Sequence, residues 1–361
     1  MVNLSCGQES SASGQRIQTA PIGPGRILSV SRGGDVYVSR GYRIYRSTDN
    51  GRSWQLRCAM PQSALRRLAS CSRLASRLLR HEVKAIGVTT DDTIIASNRE
   101  FVYYAASGDP DMIPARIEDG GQRLAPPMTI TVGPNDRVLW GEYNSRTAHG
   151  LPVRLFVSDD QGRSYRIARV FEGGSILHLH NLQFDERLRC YWVLAGDHNH
   201  EPGIGRLSED LRDFDWIAKG EQRFRAVQVF DFGDTLVYGT DTEREKNAVI
   251  RFEKATARVE RLQELDGSCI YGARFGGVYA LSTSIEVSSV NLSREAGLWI
   301  SRDGENWTRV FSATKDRWHP IYFQFGSIVL PRGETESQII YFSGQALSGV
   351  DGMAFSCSIS P

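Results

Sequence analysis

The sequence predicts an all-β fold, a seven-bladed β-propeller of four-stranded blades with one inserted basic amphipathic helix. Three observations carry that prediction. A polar turn of fixed composition recurs along the chain. Its copies are spaced at multiples of roughly 50 residues, a propeller-blade period. The 35 Gly and 13 Pro are spread over all 361 residues, as in a protein with many turns.

The repeat is read from two full copies. Ser47-Thr-Asp49-Asn-Gly51-Arg-Ser53-Trp54 returns as Ser158-Asp-Asp160-Gln-Gly162-Arg-Ser164-Tyr165. Ser301-Arg-Asp303-Gly304-Glu-Asn-Trp307 is a contracted copy, Ser208-Glu-Asp210 running to Trp216 a stretched one, and Ser107-Gly-Asp109 a fragment. Ser and Asp bond the turn's own backbone, Gly takes positive φ, and the aromatic ring packs back onto the sheet. The starts at 47, 158, 208 and 301 differ by 111, 50 and 93, or two, one and two periods. The length then holds seven periods.

The elements follow in order. Blades one to six are expected over 26–58, 84–118, 128–171, 176–219, 224–265 and 268–311, and blade seven opens at about 321. Residues 1–361 read as a single propeller domain. Its first 25 residues close the last blade, with Arg16-Ile-Gln-Thr beside Ala354-Phe-Ser-Cys, and closure removes an open sheet edge. Residues 61–82 break the pattern. Leu65, Leu68, Leu74, Leu78 and Leu79 recur at helical spacing among Arg66, Arg67, Arg73, Arg77 and Arg80, which predicts a helix packed through its leucines with a solvated basic face.

The recurrent turn is similar to the Asp-box, or bacterial neuraminidase repeat, of the sialidase superfamily. The resemblance covers most of the chain as blade periodicity. It implies a propeller, with the turn between the third and fourth strands of a blade and away from the active face. It does not extend to the sialidase site, which carries an early Arg-Ile-Pro motif, an arginine triad and a Tyr–Glu pair. Ile113-Pro114-Ala115-Arg116 does not match that motif, and Glu142 and Tyr143 are adjacent, so on a strand they point to opposite faces.

Function is therefore read from the rim formed by the starts of first strands and the loops after second strands. Glu142, His178, His180, Asp197 and Asp241 are the candidate catalytic groups. Arg40, Arg99, Tyr143, His198, His200, Gln222, Arg223, Arg225, Glu286 and His319 are candidate substrate contacts. Five of the seven histidines fall between 149 and 200. Two carboxylates across a scissile bond are what a glycosidase needs, and arginine grips a carboxylate bidentately. The expectation is a carbohydrate-active enzyme cleaving an acidic, bacterial-type polysaccharide. Glycoside hydrolysis is favoured over a lyase, and a non-catalytic glycan- or protein-binding module is the alternative. No cofactor is required by this reading, although His178 and His180, at i and i+2 on a strand, also suit a divalent metal.

Composition narrows the rest. The formal net charge of +1 argues against a general nucleic-acid binder. No apolar run approaches the roughly 20 residues of a membrane-spanning helix. The six cysteines form no CxxC pair, which disfavours a cysteine-built zinc site. The polar start lacks a signal core, so the chain reads as cytoplasmic as written, or as secreted or periplasmic if a leader was trimmed.

Overall fold

Runs rich in Val, Ile, Tyr and Phe suit a pleated, half-buried surface, and within each blade they pair as antiparallel strands; Arg116–Ile117 and Glu334–Thr335 add short parallel pairs to Ser164–Phe171 and Ser268–Phe275. The computed structural model describes residues 17–70, 72–118 and 123–359. Among these, strand pairing forms seven four-stranded antiparallel units. The first four are Arg26–Val30, Val36–Arg40, Arg43–Ser47 and Gln55–Ala59; Ala85–Val88, Ile94–Ser97, Val102–Ala105 and Ile113–Pro114; Thr131–Val132, Val138–Gly141, Val153–Ser158 and Ser164–Phe171; and Leu179–Asp185, Cys190–Ala195, Gly203–Ser208 and Phe214–Lys219. The fifth is Phe230–Asp231, Thr235–Gly239, Ala248–Glu253 and Val259–Glu264, and the sixth Ser268–Phe275, Val278–Ile285, Glu295–Ser301 and Thr308–Thr314. The seventh joins Gly326–Val329, Ile340–Gln345 and Met353–Ile359 to Ile17–Pro24, with Thr19 opposite Cys357. Blade seven thus opens at Gly326, after a short helix Pro320–Phe323. Blades six and seven also meet where Ser284 and Ile285 pair with Ser327 and Gly326.

The apolar core is shared out between neighbouring blades. Val138–Gly141 and Cys190–Ala195 are buried at every position, because both faces of a second strand meet another sheet. The outer strand Val259–Glu264 has no buried position. Trp140, Phe156 and Tyr165 of blade three pack on Ala85, Ile95 and Val102 of blade two. Trp192 and Ile204 of blade four pack on Tyr238, Ile250 and Phe252 of blade five.

The recurrent turns all join a third strand to a fourth. In blade one Ser47 Oγ donates to Asp49 Oδ1 (2.8 Å) and accepts from Gly51 N (2.8 Å), while Ser53 N and Oγ donate to Asp49 at 2.9 and 2.6 Å. Blade three repeats this with Ser158, Asp160, Gly162 and Ser164 at 2.7, 2.8, 2.9 and 2.6 Å. Gly51 and Gly162 sit at φ of 84° and 86°, which a side chain would strain. The stretched copy puts Leu211 at φ 66° instead.

The insertion departs from its expected form. It is two short helices, Ala64–Ala69 and Arg73–Leu79, each capped by a serine, Ser63 and Ser72. Four of its five leucines do not face the propeller: Leu65 and Leu68 are 80% and 72% exposed, Leu78 and Leu79 are also exposed, and Leu74 is half-buried. Arg77 is buried instead, 1% exposed, with Ser76 beside it. Its guanidinium reaches Asp316 (2.5 Å), Asp351 (3.2 Å) and the Phe323 carbonyl (2.8 Å), and Arg73 reaches Asp351 at 2.9 Å. Carboxylates on the loops of blades six and seven pull the basic face inward, which overrides the leucine pattern. No helix of the described residues is long and apolar enough to cross a membrane. Cys58, Cys190, Cys269 and Cys357 are free and buried, and Cys6 and Cys71 lie outside the described residues.

Candidate functional site

First strands line the central channel, and a cavity of about 240 Å³ opens there. Its ionisable lining is Arg26, Arg80, Lys84 and Arg332 against Glu286, with Tyr143 and Tyr271 between them. Arg26 and Lys84 stand at the starts of the first strands of blades one and two. Tyr143 and Glu286 follow the second strands of blades three and six, at equivalent positions. Arg80 caps the second helix at φ 55°, so the insertion ends on this rim.

The wall perturbs its own charges. Burial, reinforced by Arg99, pushes the Lys84 ammonium down to about 7. Its Nζ donates to the Pro126 carbonyl at 3.0 Å and lies 4.8 Å above the Tyr143 ring. Burial and then the Asp241 charge push the Glu286 carboxyl up to about 7, against the pull of Arg225. Arg332 is lowered to about 10 by burial, with Arg26 adding to the fall and Tyr271 opposing it. Arg26 donates to the Val83 carbonyl (2.8 Å) and Tyr271 Oη (3.3 Å), and its Nε is buried with no hydrogen-bond partner among the described residues.

A second cluster lies behind Tyr143, whose ring stacks on His178 at 4.0 Å. His178 and His180 point the same way as alternate residues of one strand. The register slips between Leu179 and Asn181, so His180 sits in a bulge, a device that re-aims a side chain. His178 Nδ1 donates to the Asn144 carbonyl at 2.9 Å and His180 Nδ1 to the Ala226 carbonyl at 3.0 Å. Their Nε2 atoms are 3.1 Å apart and lie 3.2 and 2.9 Å from Asp197 Oδ1. Arg225 Nη2 reaches Asp197 (3.1 Å) and Asp241 (3.6 Å), and Nη1 reaches Glu243 (2.5 Å). Burial disfavours the His178 imidazolium and outweighs the help of Asp197. Burial also raises Asp241, against Arg225.

Of the residues singled out in the sequence, Tyr143, His178, His180, Asp197, Arg225 and Asp241 converge, with Glu286 on the adjoining cavity wall. Arg99 is exposed near Lys84 and Arg80 and acts on both through its charge. Glu142 does not join them. Its Oε2 accepts from Arg154 N (2.9 Å) and Nε (2.8 Å), and its Oε1 from Ala125 N (3.1 Å) and Arg154 Nη2 (2.6 Å). A carboxylate so saturated has no lone pair left for a substrate. It lies just past the end of Val138–Gly141, and its carboxylate turns to Arg154 on the next strand, outside the cavity lining.

Five further candidates are likewise committed elsewhere. Gln222 bridges the Asp197 carbonyl (3.1 Å) and the Thr242 hydroxyl (2.7 Å). Arg40 donates to the Pro24 carbonyl at 2.9 Å and covers Tyr45. Arg223 pairs with Glu221 at 2.9 Å beside Phe224. His198 meets Arg244 at 3.3 Å, and His319 caps the Pro320–Phe323 helix and packs on Tyr322. His200 is exposed, away from the cavity lining. Sequence reasoning passed over Arg26, Lys84, Arg332 and Glu243. Lys84 was within reach of it, being the one lysine at the start of a first strand.

No family model and no curated protein matches the chain. Solved structures are similar in fold. Virginiamycin B lyase from Staphylococcus aureus matches with TM-score 0.59 and 12% identity, covering 95% of this chain and 99% of that one. YCF48 from Cyanidioschyzon merolae gives 0.56 and 10%, over 95% and 98% of the two chains. An ancestral GH74 enzyme gives 0.54 and 13%, over 91% of this chain and 46% of that one. These are β-propellers, and at such identities the likeness shows the all-β propeller fold and leaves function to the site.

Proposed function

We propose that this propeller is a carbohydrate-active enzyme that cleaves an acidic polysaccharide by β-elimination, with a 4-O-linked uronate-type sugar at the reducing end of the chain seated in the channel cavity. The observation that carries this reading is the cavity wall. It sets three arginines and Lys84 against one carboxyl group and holds Lys84 and Glu286 both near pKa 7. A base and an acid poised near the working pH are the pairing that proton transfer favours.

Arg26 and Arg80 neutralise the sugar carboxylate, which acidifies the adjacent C5–H. Neutral Lys84 takes that proton. The C–H electron pair forms the C4=C5 double bond, the C4–O bond breaks, and protonated Glu286 delivers its proton to the departing oxygen. Lys84 ends as ammonium, Glu286 as carboxylate, and no water is consumed. Blades two and six place the two groups on different sides of the channel, with the substrate between them. The cavity is small against the roughly 300–1,000 Å³ of most ligand pockets, which suits one ring at a chain end.

Hydrolysis is less well supported, because it needs two available carboxyl groups. Glu142 is occupied by Arg154, Asp197 is held by Arg225 at 3.1 Å, and neither Asp197 nor Asp241 lines the cavity, where Glu286 is the one carboxyl group. The test is incubation with a panel of acidic polysaccharides, following new reducing ends and the ultraviolet absorbance of an unsaturated uronate. Both signals together support elimination. Reducing ends without the absorbance assign a hydrolase, and tight glycan binding without cleavage assigns a binding module.

A further inference from the structure

We infer that His178 Nε2, His180 Nε2 and Asp197 Oδ1 form a site for a divalent first-row metal ion, set just behind Tyr143 of the channel wall. The inference stands on the geometry of the cluster and does not depend on the reaction proposed above.

Hydrogen-bond capacity is the first argument. Each imidazole spends its Nδ1–H on a backbone carbonyl, Asn144 for His178 and Ala226 for His180. A carbonyl can only accept, so the proton of each neutral ring is fixed on Nδ1. Both Nε2 atoms then present lone pairs, and they face one another and the Asp197 carboxylate. The Arg225 guanidinium meets Asp197 Oδ1 from one side at 3.1 Å, but the two facing Nε2 lone pairs are left without a donor, and a metal cation among the three atoms satisfies both. Donation of the far ring N–H to a carbonyl is also the outer-shell arrangement that orients metal-ligating histidines.

Spacing is the second. The three donor atoms are separated by 3.1, 3.2 and 2.9 Å. Ligands at about 2.1 Å on adjacent corners of an octahedron are about 3.0 Å apart. The cluster therefore matches one face of a coordination sphere without rearrangement. Two imidazoles and one carboxylate suit Fe²⁺, Mn²⁺, Co²⁺ or Zn²⁺ better than Mg²⁺ or Ca²⁺.

Charge is the third. Around Arg225 stand Asp197, Asp241 and Glu243, three carboxylates to one guanidinium. Asp241 is 6% exposed, and its Oδ1 has no hydrogen-bond partner among the described residues. A divalent cation at the histidines balances this excess where a neutral ring does not.

The competing occupant is a proton, which would make one ring an imidazolium bridged to the other and to Asp197. The experiment titrates chelator-treated full-length protein with CoCl₂, ZnCl₂ and MnCl₂ in a calorimeter, with the Co²⁺ visible spectrum and the thermal midpoint read in parallel. The expected result is one equivalent bound, a Co²⁺ spectrum of nitrogen and oxygen ligands, and a midpoint that rises with metal and falls again with EDTA. His180→Ala and the isosteric Asp197→Asn should weaken uptake at least tenfold, while His319→Ala, at the Pro320–Phe323 helix, should not. Absence of uptake by the folded wild-type chain overturns the proposal and leaves the cluster to a proton. Uptake undiminished in both folded variants overturns it as well. The wild-type measurement decides the matter even if a variant fails to fold.

Discussion

Lys84→Met separates the proposed chemistry from simple structure, because it should stabilise the protein while ending turnover. The ammonium falls from 10.5 to about 7, which corresponds to roughly 5 kcal/mol against the charged form in the folded chain. Methionine keeps the packing over Tyr143 but loses a cation–π contact of ~1–2 kcal/mol and the bond to Pro126, ~1 kcal/mol. The variant should thus gain about 2–3 kcal/mol below pH 7. The sign follows from a folded pKa below the unfolded one. Below pH 7 Lys84 is charged in both states and the folded state carries the full penalty. Between about 7 and 10.5 the folded chain sheds the proton while the unfolded chain keeps it, so wild-type stability rises with pH. Urea unfolding of both proteins from pH 6 to pH 10 measures the difference, which should shrink as pH rises. A flat difference, or a variant less stable at pH 6, would refute the reasoning. Turnover of the variant at the wild-type rate would remove Lys84 as the base.

The other predictions concern the acid, the insertion, the discarded carboxylate and the turns. Glu286→Gln should lower turnover by about 10²–10⁴. It should also relieve a penalty that grows as pH rises from 4.5 to about 7, so its unfolding midpoint should exceed the wild type's at pH 8. Arg77→Met leaves Asp351 to Arg73 and Asp316 to Lys315 but removes the buried guanidinium and its bond to the Phe323 carbonyl, and a loss of about 1–3 kcal/mol is expected in thermal unfolding. Glu142→Gln should cost stability on the same scale, about 3–5 kcal/mol, and leave kcat unchanged; a collapse of kcat with normal stability would restore Glu142 to the site. Asp160→Ala removes three turn hydrogen bonds and should lower stability by about 1–2 kcal/mol with no kinetic effect.

The propeller was legible in the sequence because its causes are local. Ser, Asp and Gly at fixed offsets make the same turn wherever they occur, and their spacing reports the blade period. The pairing of Thr19 with Cys357 was legible for a related reason: a blade left with three strands must find a fourth. The histidine cluster could be read from i, i+2 spacing together with equivalent blade positions, which bring His178, His180, Asp197 and Asp241 to one rim.

Charge pairing across the fold was decided only by the tertiary structure. Helical periodicity in the insertion said that leucines should face inward, yet Asp316 and Asp351, over two hundred residues away, draw Arg77 under instead. Glu142 looked as available as Asp197 until Arg154, on the next strand, took both of its oxygens. Lys84 carried no motif; enclosure beside Arg99 and Tyr143 is what moves its proton. By itself the sequence determined backbone architecture, since turn chemistry and strand alternation act over a few residues. Which ionisable groups are satisfied and which remain poised depends on desolvation and on partners from distant blades, and those exist only once the propeller has closed.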